Sequence, residues 1–252
     1  MKNRKVKTGL IVFGVLAAIM LGIVLSFLLI QIIQAPNLSE VDAAPDGYLS
    51  TILDKDENVI NTLYVTESNR IYVGLESIPK ELQQAFIAIE DSRFRTHNGI
   101  DLKGIIRAGV TGITSGNFSQ GASTITQQLV KNIYLSNEKT IDRKINEAIL
   151  SLKLENILNK EDILASYLSN VLFGGRVYGI KMASKYYFNK ELEEIELKEA
   201  AMLAGMVQLP NYYNPFVNYE AALTRRNVVL KRMYEEGYID DRAYEETLNI
   251  PL

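Results

Sequence analysis

The stretch "AFIAIEDSRFRTHNGID", residues 85–101, joins an apolar helical pattern to a dense group of charges. Apolar residues recur at helical spacing up to Ile89. Glu90 and Asp91 follow at once, and two arginines, the only histidine of the chain and a glycine come after them. Since ionised side chains are costly to bury, this pattern predicts a buried helix whose polar end has a specific partner or use.

Glu90 follows Phe86 by four residues, so both side chains share the apolar face of the predicted helix. Burial and the negative end of a helix dipole both raise the pKa of a carboxyl group. Glu90 is therefore a candidate general base. The alternative, an acidic pair that simply ends the helix in solvent, stays open on this stretch alone.

The rest of the chain after Pro79 is also predicted to be helical. Thr124 to Gln127 has the pattern of a capping box, which predicts the start of a helix. Helical patterns follow at about Glu138 to Leu158 and Glu161 to Phe173, and in "IKMASKYYF", "ELKEAAMLAGMVQLP" and "AALTRRNVVLKRMYEEG". The glycine-rich segment from Leu102 to Gln120 is predicted to be mobile. Before Pro79, "YLSTILDKDENVINTLYV" alternates around a polar turn and predicts a small hairpin. The fold class is mainly α with a small β appendage.

Composition limits the chemistry of the 252-residue chain. The net charge of −3, with every acidic residue at or beyond Glu40, argues against nucleic acid as a partner. No cysteine and a single histidine exclude thiolate chemistry and most zinc sites. Catalysis must then rest on carboxylates and cations, and no organic cofactor is expected.

No charged residue occurs from Thr8 to Ser39, and this run indicates a membrane anchor. As a helix, Leu10 to Ile30 spans roughly 30 Å, the thickness of a bilayer core. Basic residues precede the span and acidic ones follow it, which orients the amino terminus to the cytoplasm. The predicted organisation is a cytoplasmic tail (1–9), a single-pass uncleaved anchor (10–33), a spacer with a small β region (34–78) and an outward-facing helical domain (79–252).

Two further groups of polar residues have helical spacing. Ser123, Gln127 and Lys131 fall at i, i+4 and i+8, so one helix face could hold a sugar phosphate, although a solvated face is the simpler interpretation. Arg143 and Lys144 precede Glu147 by four and three residues and could merely pair with it on a helix surface.

Five ordered segments resemble the peptidoglycan glycosyltransferases of family 51, which are the monofunctional enzymes and the amino-terminal halves of class A penicillin-binding proteins. They are "EDSRFRTHNG" (90–99), "GASTITQQLVKN" (121–132), "RKINE" (143–147), "ILASYLSNVLFGGRVYGIKMASKYYF" (163–188) and "AAMLAGMVQLPNYYNP" (200–215). The usual fourth pattern has Glu, Asn and Glu where this chain has Ala165, Ser169 and Lys181, which puts details of that chiefly structural motif in doubt.

The resemblance implies a lysozyme-like fold that polymerises lipid II for cell-wall biogenesis at the bacterial cell membrane. The donor would be a growing glycan on undecaprenyl pyrophosphate, and other cell-wall synthesis proteins are candidate partners. Glu90 would be the base. The glutamate matching Glu147 would assist the leaving group or hold a divalent metal, Mg²⁺ or Mn²⁺. Ser123, Gln127, Lys131, Arg143 and Lys144 would bind substrate, and Asp91, Phe94, His97 and Gly99 would be scaffold.

Two other functions stay open: a lysozyme-like or lytic enzyme that cleaves peptidoglycan, and a noncatalytic wall-binding scaffold. Transpeptidase-like strings, such as "SIPK" (77–80) and "KTG" (7–9), occur in the wrong order for a penicillin-binding domain. The resemblance therefore fits either a monofunctional enzyme or the front part of a bifunctional one.

The predicted topology can be tested with protoplasts. Protease added outside intact protoplasts should digest the domain beyond residue 34, because the anchor places it on the outer face. Immunoblotting with an antibody against that domain measures its loss. Survival of the domain until lysis would show that the orientation is wrong.

Overall fold

The computed structural model describes residues 70–115, 123–135, 138 and 140–252, together with residues 13–16, 18–20, 22, 26, 29–33, 50–53, 55 and 59–63. The described positions between 13 and 33 have helical backbone. Among the described residues, no helix is long and apolar enough to cross a membrane. The predicted anchor (10–33) and spacer (34–78) fall partly outside them, so both stay predictions.

Nine helices are defined beyond residue 79 within the described part of the chain. They are α1 (Lys80–Glu90), α2 (Leu102–Ser115), α3 (Ile125–Tyr134), α4 (Ile141–Glu155), α5 (Lys160–Asn170), α6 (Ile180–Phe188), α7 (Leu197–Met206), α8 (Tyr219–Glu235) and α9 (Asp241–Leu248). Short 3₁₀ helices occur at Leu75–Ser77 and Leu192–Glu194. The mainly α prediction is confirmed.

A two-stranded antiparallel sheet precedes the helices, as the hairpin pattern predicted. Strand β1 (Ser50–Leu53) pairs with β2 (Val59–Leu63), and Ser50 lies opposite Leu63. The register shifts between Ile52 and Leu53. The described residues thus include a small β region before the helical part.

The core is built around helix α5, which is buried on all sides from Ile163 to Asn170. Helix α3 packs against both α4 and α5, whereas α1 packs against α7 and α8. Two buried polar side chains of α5 have partners within the protein: the Ser169 hydroxyl accepts from the Val73 N–H at 3.0 Å, and the Asn170 amide NH₂ donates to the Ser166 carbonyl at 2.8 Å. Such pairing lowers the penalty for burying these donor and acceptor groups.

Two elements add to the sequence-based expectations. The glycine-rich segment contains a regular helix, α2, whose residues Leu102, Ile106 and Val110 are exposed, and its mobility stays a prediction. Helix α9 had not been predicted. It is held to α8 by the buried Arg226, whose guanidinium donates to the carbonyls of Leu248 at 3.3 Å and of Ile250 at 2.6 Å.

Gly99 lets the loop after α1 approach α4 closely. Its φ of +81° lies in the left-handed region, and a Cβ there would be 2.8 Å from the Ser151 carbonyl oxygen. A side chain at this position therefore meets both backbone strain and a backbone atom that cannot easily move.

Gly99→Ala should lower the free energy of unfolding by about 2–4 kcal/mol, because the strain and the clash act together. Gly237→Ala is the matched control, since Gly237 has a φ of +73° but no atom lies within 4 Å of the place that a Cβ would take. It should cost only about 1 kcal/mol. Urea unfolding of both variants measures the difference, and equal losses would contradict the clash.

Candidate active site

A cavity of about 750 Å³ lies between the carboxyl end of α1, helix α2, the start of α3 and helix α8. Its ionisable lining residues are Glu90, Asp91, Asp101, Arg107, Arg225, Lys231, Arg232 and Glu235. Part of this charge is neutralised within the protein, because Asp101 pairs with Arg93 and Glu235 with Arg232. These two ion pairs leave fewer charges on the cavity wall that are free to interact with a ligand.

Glu90 is the last residue of α1 and lies on the cavity wall. Its Oε2 accepts a hydrogen bond of 2.8 Å from the Gln128 side-chain amide. Burial raises the pKa of Glu90 and is the largest influence, opposed by the Gln128 bond and by the charges of Arg225 and Lys131. The net effect is a raised pKa, the property expected of a carboxylate general base.

Asp91 connects the end of α1 to the start of α3. It is buried, and its carboxylate accepts from His97 Nε2 at 2.9 and 3.0 Å and from the Ile125 backbone N–H at 3.0 Å. Thr124 adds a second connection, because its hydroxyl donates to the Gly99 carbonyl at 2.6 Å. The predicted scaffold residues Asp91, His97 and Gly99 therefore lie together.

Phe94, the fourth predicted scaffold residue, is fully buried below the same loop. The Lys160 ammonium lies 4.5 Å from the centre of its ring. Lys160 also donates to Glu155 Oε1 at 2.6 Å, and the same oxygen accepts from the Thr126 hydroxyl at 2.5 Å. These contacts attach the loop to α3, α4 and α5.

Glu147, on α4, is the centre of a second charged group, in which two cations surround one carboxylate. Its side chain is buried, and Arg143 Nη1 donates to Oε2 at 2.7 Å while Lys144 contacts Oε1. Lys144 also donates to the Ser123 hydroxyl at 2.8 Å, and Ser123 lines the cavity. The predicted residues Ser123, Arg143, Lys144 and Glu147 are therefore brought together, at one edge of the cavity.

A divalent metal at Glu147 would require a change in the present partners of its carboxylate. Both of its carboxylate oxygens already contact cations, and a metal would have to displace Arg143 or Lys144. Within the described residues, no group of three or more acidic or histidine side chains could hold a metal ion. A metal at Glu147 stays a prediction that requires one of these cations to move.

Gln127 and Lys131 do not share one open face with Ser123. Helix α3 begins only at Ile125, so Gln127 is its third residue. Gln127 is buried and forms the capping box with Thr124, by accepting from the Thr124 N–H at 3.0 Å. The neighbouring Gln128, and not Gln127, lines the cavity. Lys131 has no ion pair among the described residues, and its charge acts on Glu90.

Three residues of the site were missed by the sequence analysis: Gln128, Tyr167 and Arg225. Gln128 could have been found from the sequence. The capping box occupies the Gln127 side chain, so the next residue, Gln128, is the glutamine that can reach a partner from another face of α3. The Arg225 guanidinium lies 5.7 Å from the Tyr213 ring centre and donates to the Gly205 carbonyl at 3.3 Å. Its position depends on how α7 and α8 pack, for which the sequence has no local signal.

Comparison with known proteins identifies the family of the chain. The family model described as "Transglycosylase" matches residues 56–234, which is more than half of the chain. The chain belongs to the transglycosylase family. The same family includes the glycosyltransferase part of class A penicillin-binding proteins, as the five motifs had indicated.

Individual relatives of the chain are penicillin-binding proteins 1A. The protein from Aquifex aeolicus is 40% identical over 242 residues, which cover 96% of this chain and 33% of the relative. The one from Escherichia coli is 46% identical over 181 residues, covering 72% and 21%. A crystal structure of the Haemophilus influenzae protein matches with a TM-score of 0.45 and 26% identity, over 80% of this chain and 20% of that one. The chain spans about a third or less of the length of these relatives.

The raised pKa of Glu90 predicts a pH-dependent effect on stability. Because burial favours the protonated form of Glu90, this carboxyl group contributes fully to the stability of the fold below its ordinary pKa of 4.5. The contribution is lost as the pH rises through the higher pKa of the folded state and the group becomes ionised. Glu90→Gln should therefore have a higher Tm than the wild type at pH 7, and the gain should shrink toward pH 4.

Glu161→Gln is the control of opposite sign. The Arg95 hydrogen bond of 2.8 Å lowers the pKa of the exposed Glu161, so this substitution should slightly lower the Tm at pH 7. Calorimetry at pH 4 and pH 7 measures both variants. A Tm of Glu90→Gln below that of the wild type at pH 7 would contradict the burial of an ionised Glu90.

Proposed function

We propose that this transglycosylase is a peptidoglycan glycosyltransferase that polymerises lipid II into β-1,4 glycan strands with inversion at the donor carbon. The observation that carries the proposal is Glu90, a carboxylate with a raised pKa on the wall of a 750 Å³ cavity. The family match and the five motifs support the same activity. In the proposed lysozyme-like fold, this cavity would hold the donor glycan and the acceptor sugar side by side.

The reaction needs one proton transfer and one displacement. Glu90 accepts the proton of the 4-hydroxyl of an acceptor GlcNAc, and this oxygen forms a bond to the anomeric carbon of the donor. The bond between that carbon and the pyrophosphate oxygen breaks, and undecaprenyl pyrophosphate leaves with the electron pair. A base in a partly dry site is effective because its pKa lies closer to the working pH.

The departing pyrophosphate requires positive charge on the donor side. Lys131, Arg143 and Lys144 supply it in this proposal, and Ser123 positions Lys144 at the cavity edge. Glu147 holds Arg143 and Lys144 in place through its two carboxylate oxygens. No step of the proposal passes through a metal, because both carboxylate oxygens of Glu147 already contact cations.

Membrane attachment is part of the proposal, because lipid II and the growing glycan are both lipid-linked. Residues 10–33 form the proposed single-pass anchor, with the amino terminus in the cytoplasm. Helix α2 supports an additional lipid contact, since Leu102, Ile106 and Val110 are 68%, 67% and 57% exposed beside the cavity. Exposed apolar residues of this kind are typical of helices that lie at a membrane surface.

The activity is tested by offering two substrates to the detergent-solubilised protein. Purified lipid II should be converted to glycan polymer, and finished peptidoglycan should stay intact. Soluble fragments released from finished peptidoglycan would instead indicate a lysozyme-like or lytic enzyme. The absence of both products in folded protein would favour a wall-binding scaffold.

Glu90→Gln should lower the rate of lipid II polymerisation by at least about a hundredfold, the lower range for a general base. Glutamine keeps the shape of the side chain but cannot accept the proton, so lipid II binding should survive. Gel analysis of radiolabelled polymer gives the rate. Glu161→Gln, which changes an exposed carboxylate outside the cavity, should polymerise at the wild-type rate. Near wild-type polymerisation by folded Glu90→Gln would falsify the assignment of the base.

A further inference from the structure

Tyr167 lies on the central helix α5, directly behind the amide that contacts Glu90. Its side chain is completely buried, so it cannot touch a substrate in the cavity. Its hydroxyl donates to Gln128 Oε1 at 3.3 Å, and Gln128 Nε2 donates to Glu90 Oε2 at 2.8 Å. The ring packs edge-on against Phe86, one helical turn before Glu90, with 6.2 Å between ring centres. Tyr167, Gln128 and Glu90 thus form a continuous chain of hydrogen bonds.

The direction of this chain is fixed by chemistry. An ionised carboxylate only accepts hydrogen bonds, so the Gln128 NH₂ group must face Glu90. The amide oxygen then faces Tyr167, whose hydroxyl is a donor. The reversed amide would bring its oxygen against the carboxylate, and the Tyr167 hydroxyl would lose its acceptor.

Tyr167 keeps its proton throughout the working pH range. Burial raises the pKa of the phenol well above 10, and the charges of Glu90 and Asp91 raise it further. The hydroxyl is therefore a constant donor, not a titrating group. A donor of this kind favours a single orientation of the Gln128 amide at every pH that the enzyme meets.

We propose that Tyr167 is a positioning residue that holds the Gln128 amide in the orientation that stabilises ionised Glu90. The proposal rests on the proposed function, because it assigns to a buried residue of the fourth motif an influence on the base of that reaction. In this arrangement the amide opposes the effect of burial, so that Glu90 is ionised often enough to act as a base. The role is indirect, since Tyr167 contacts only the amide and the core.

Other charges also face Glu90, and they must stay constant for the test to be clear. Asp91 follows Glu90 on the chain, Lys131 faces it from α3 and Arg225 faces it from α8. Arg107 on α2 and Lys231 on α8 line the same cavity. Removing the Tyr167 hydroxyl deletes none of these charges. A change in the acid limb of the pH profile therefore reports on the amide.

The test is the pH–rate profile of lipid II polymerisation by Tyr167→Phe. The acid limb should move to higher pH, and kcat near neutral pH should fall by about three- to tenfold, as expected for weakening one hydrogen bond to a charged group. KM should stay unchanged because Tyr167 does not reach the cavity. Tyr187→Phe is the matched control, since the Tyr187 hydroxyl is also buried and donates to the Phe173 carbonyl at 2.7 Å, away from Glu90. It should leave the acid limb where it is in the wild type.

A double-mutant cycle shows whether Tyr167 acts through the amide. In a Gln128→Met background the acid limb should already lie at higher pH, and adding Tyr167→Phe should move it no further. An unchanged acid limb in folded Tyr167→Phe, or an equal shift in Tyr187→Phe, would overturn the proposal. A full additional shift in the Gln128→Met background would overturn it as well.

A measurement without substrate separates this proposal from the proposed function. In protein labelled with ¹³C at the glutamate carboxyl carbons, the Glu90 signal is the one lost in Glu90→Gln, and its titration gives the Glu90 pKa. That pKa should be higher in Tyr167→Phe than in the wild type, whether or not lipid II is the substrate. A wild type that fails to polymerise lipid II would overturn the proposed function, whereas an unchanged titration would overturn the role of Tyr167.

Discussion

The buried carboxylate of Asp91 is the interaction on which the rest of the site depends. It accepts hydrogen bonds from His97 and from the first N–H of α3, so it connects the loop after α1 to the start of another helix. A negative charge at a helix amino terminus is favourable because the N–H groups there have no partner within the helix. Gln128 lies three residues further along α3, which brings its amide to Glu90.

This connection explains why two adjacent acidic residues have different roles. Asp91 faces a helix terminus and a histidine, which use its oxygens as fixed acceptors. Glu90 faces the cavity, where burial outweighs the single amide and the nearby cations, so the net effect on its pKa is upward. The same short sequence therefore provides one carboxylate that holds the structure together and one that remains available to a substrate.

The sequence predicted the site where local rules decide it. The capping box at Thr124 and the end of α1 at Glu90 are confirmed, because they depend on residues within one helical turn. The prediction that Ser123, Gln127 and Lys131 share one face of α3 was wrong. The spacing was counted from Ser123, whereas the helix starts two residues later and its capping box uses the Gln127 side chain. Helix α9 was not predicted, and its attachment through Arg226 depends on residues more than twenty positions apart. Tyr167 and Arg225 likewise reach the site only through packing of whole helices, which no local pattern encodes.

Glu147 shows how the surroundings of a residue can differ from the simpler interpretation of its sequence pattern. The ion pairs expected from the spacing of Arg143 and Lys144 are present, but Glu147 is buried, not on a helix surface. A buried ion pair is weak evidence for stability, because removing charges from water offsets much of their attraction. Arg143 and Lys144 keep 18% and 47% of their side chains exposed, and Ser123 connects Lys144 to the cavity. The buried carboxylate therefore fixes two partly exposed cations at the edge of the site.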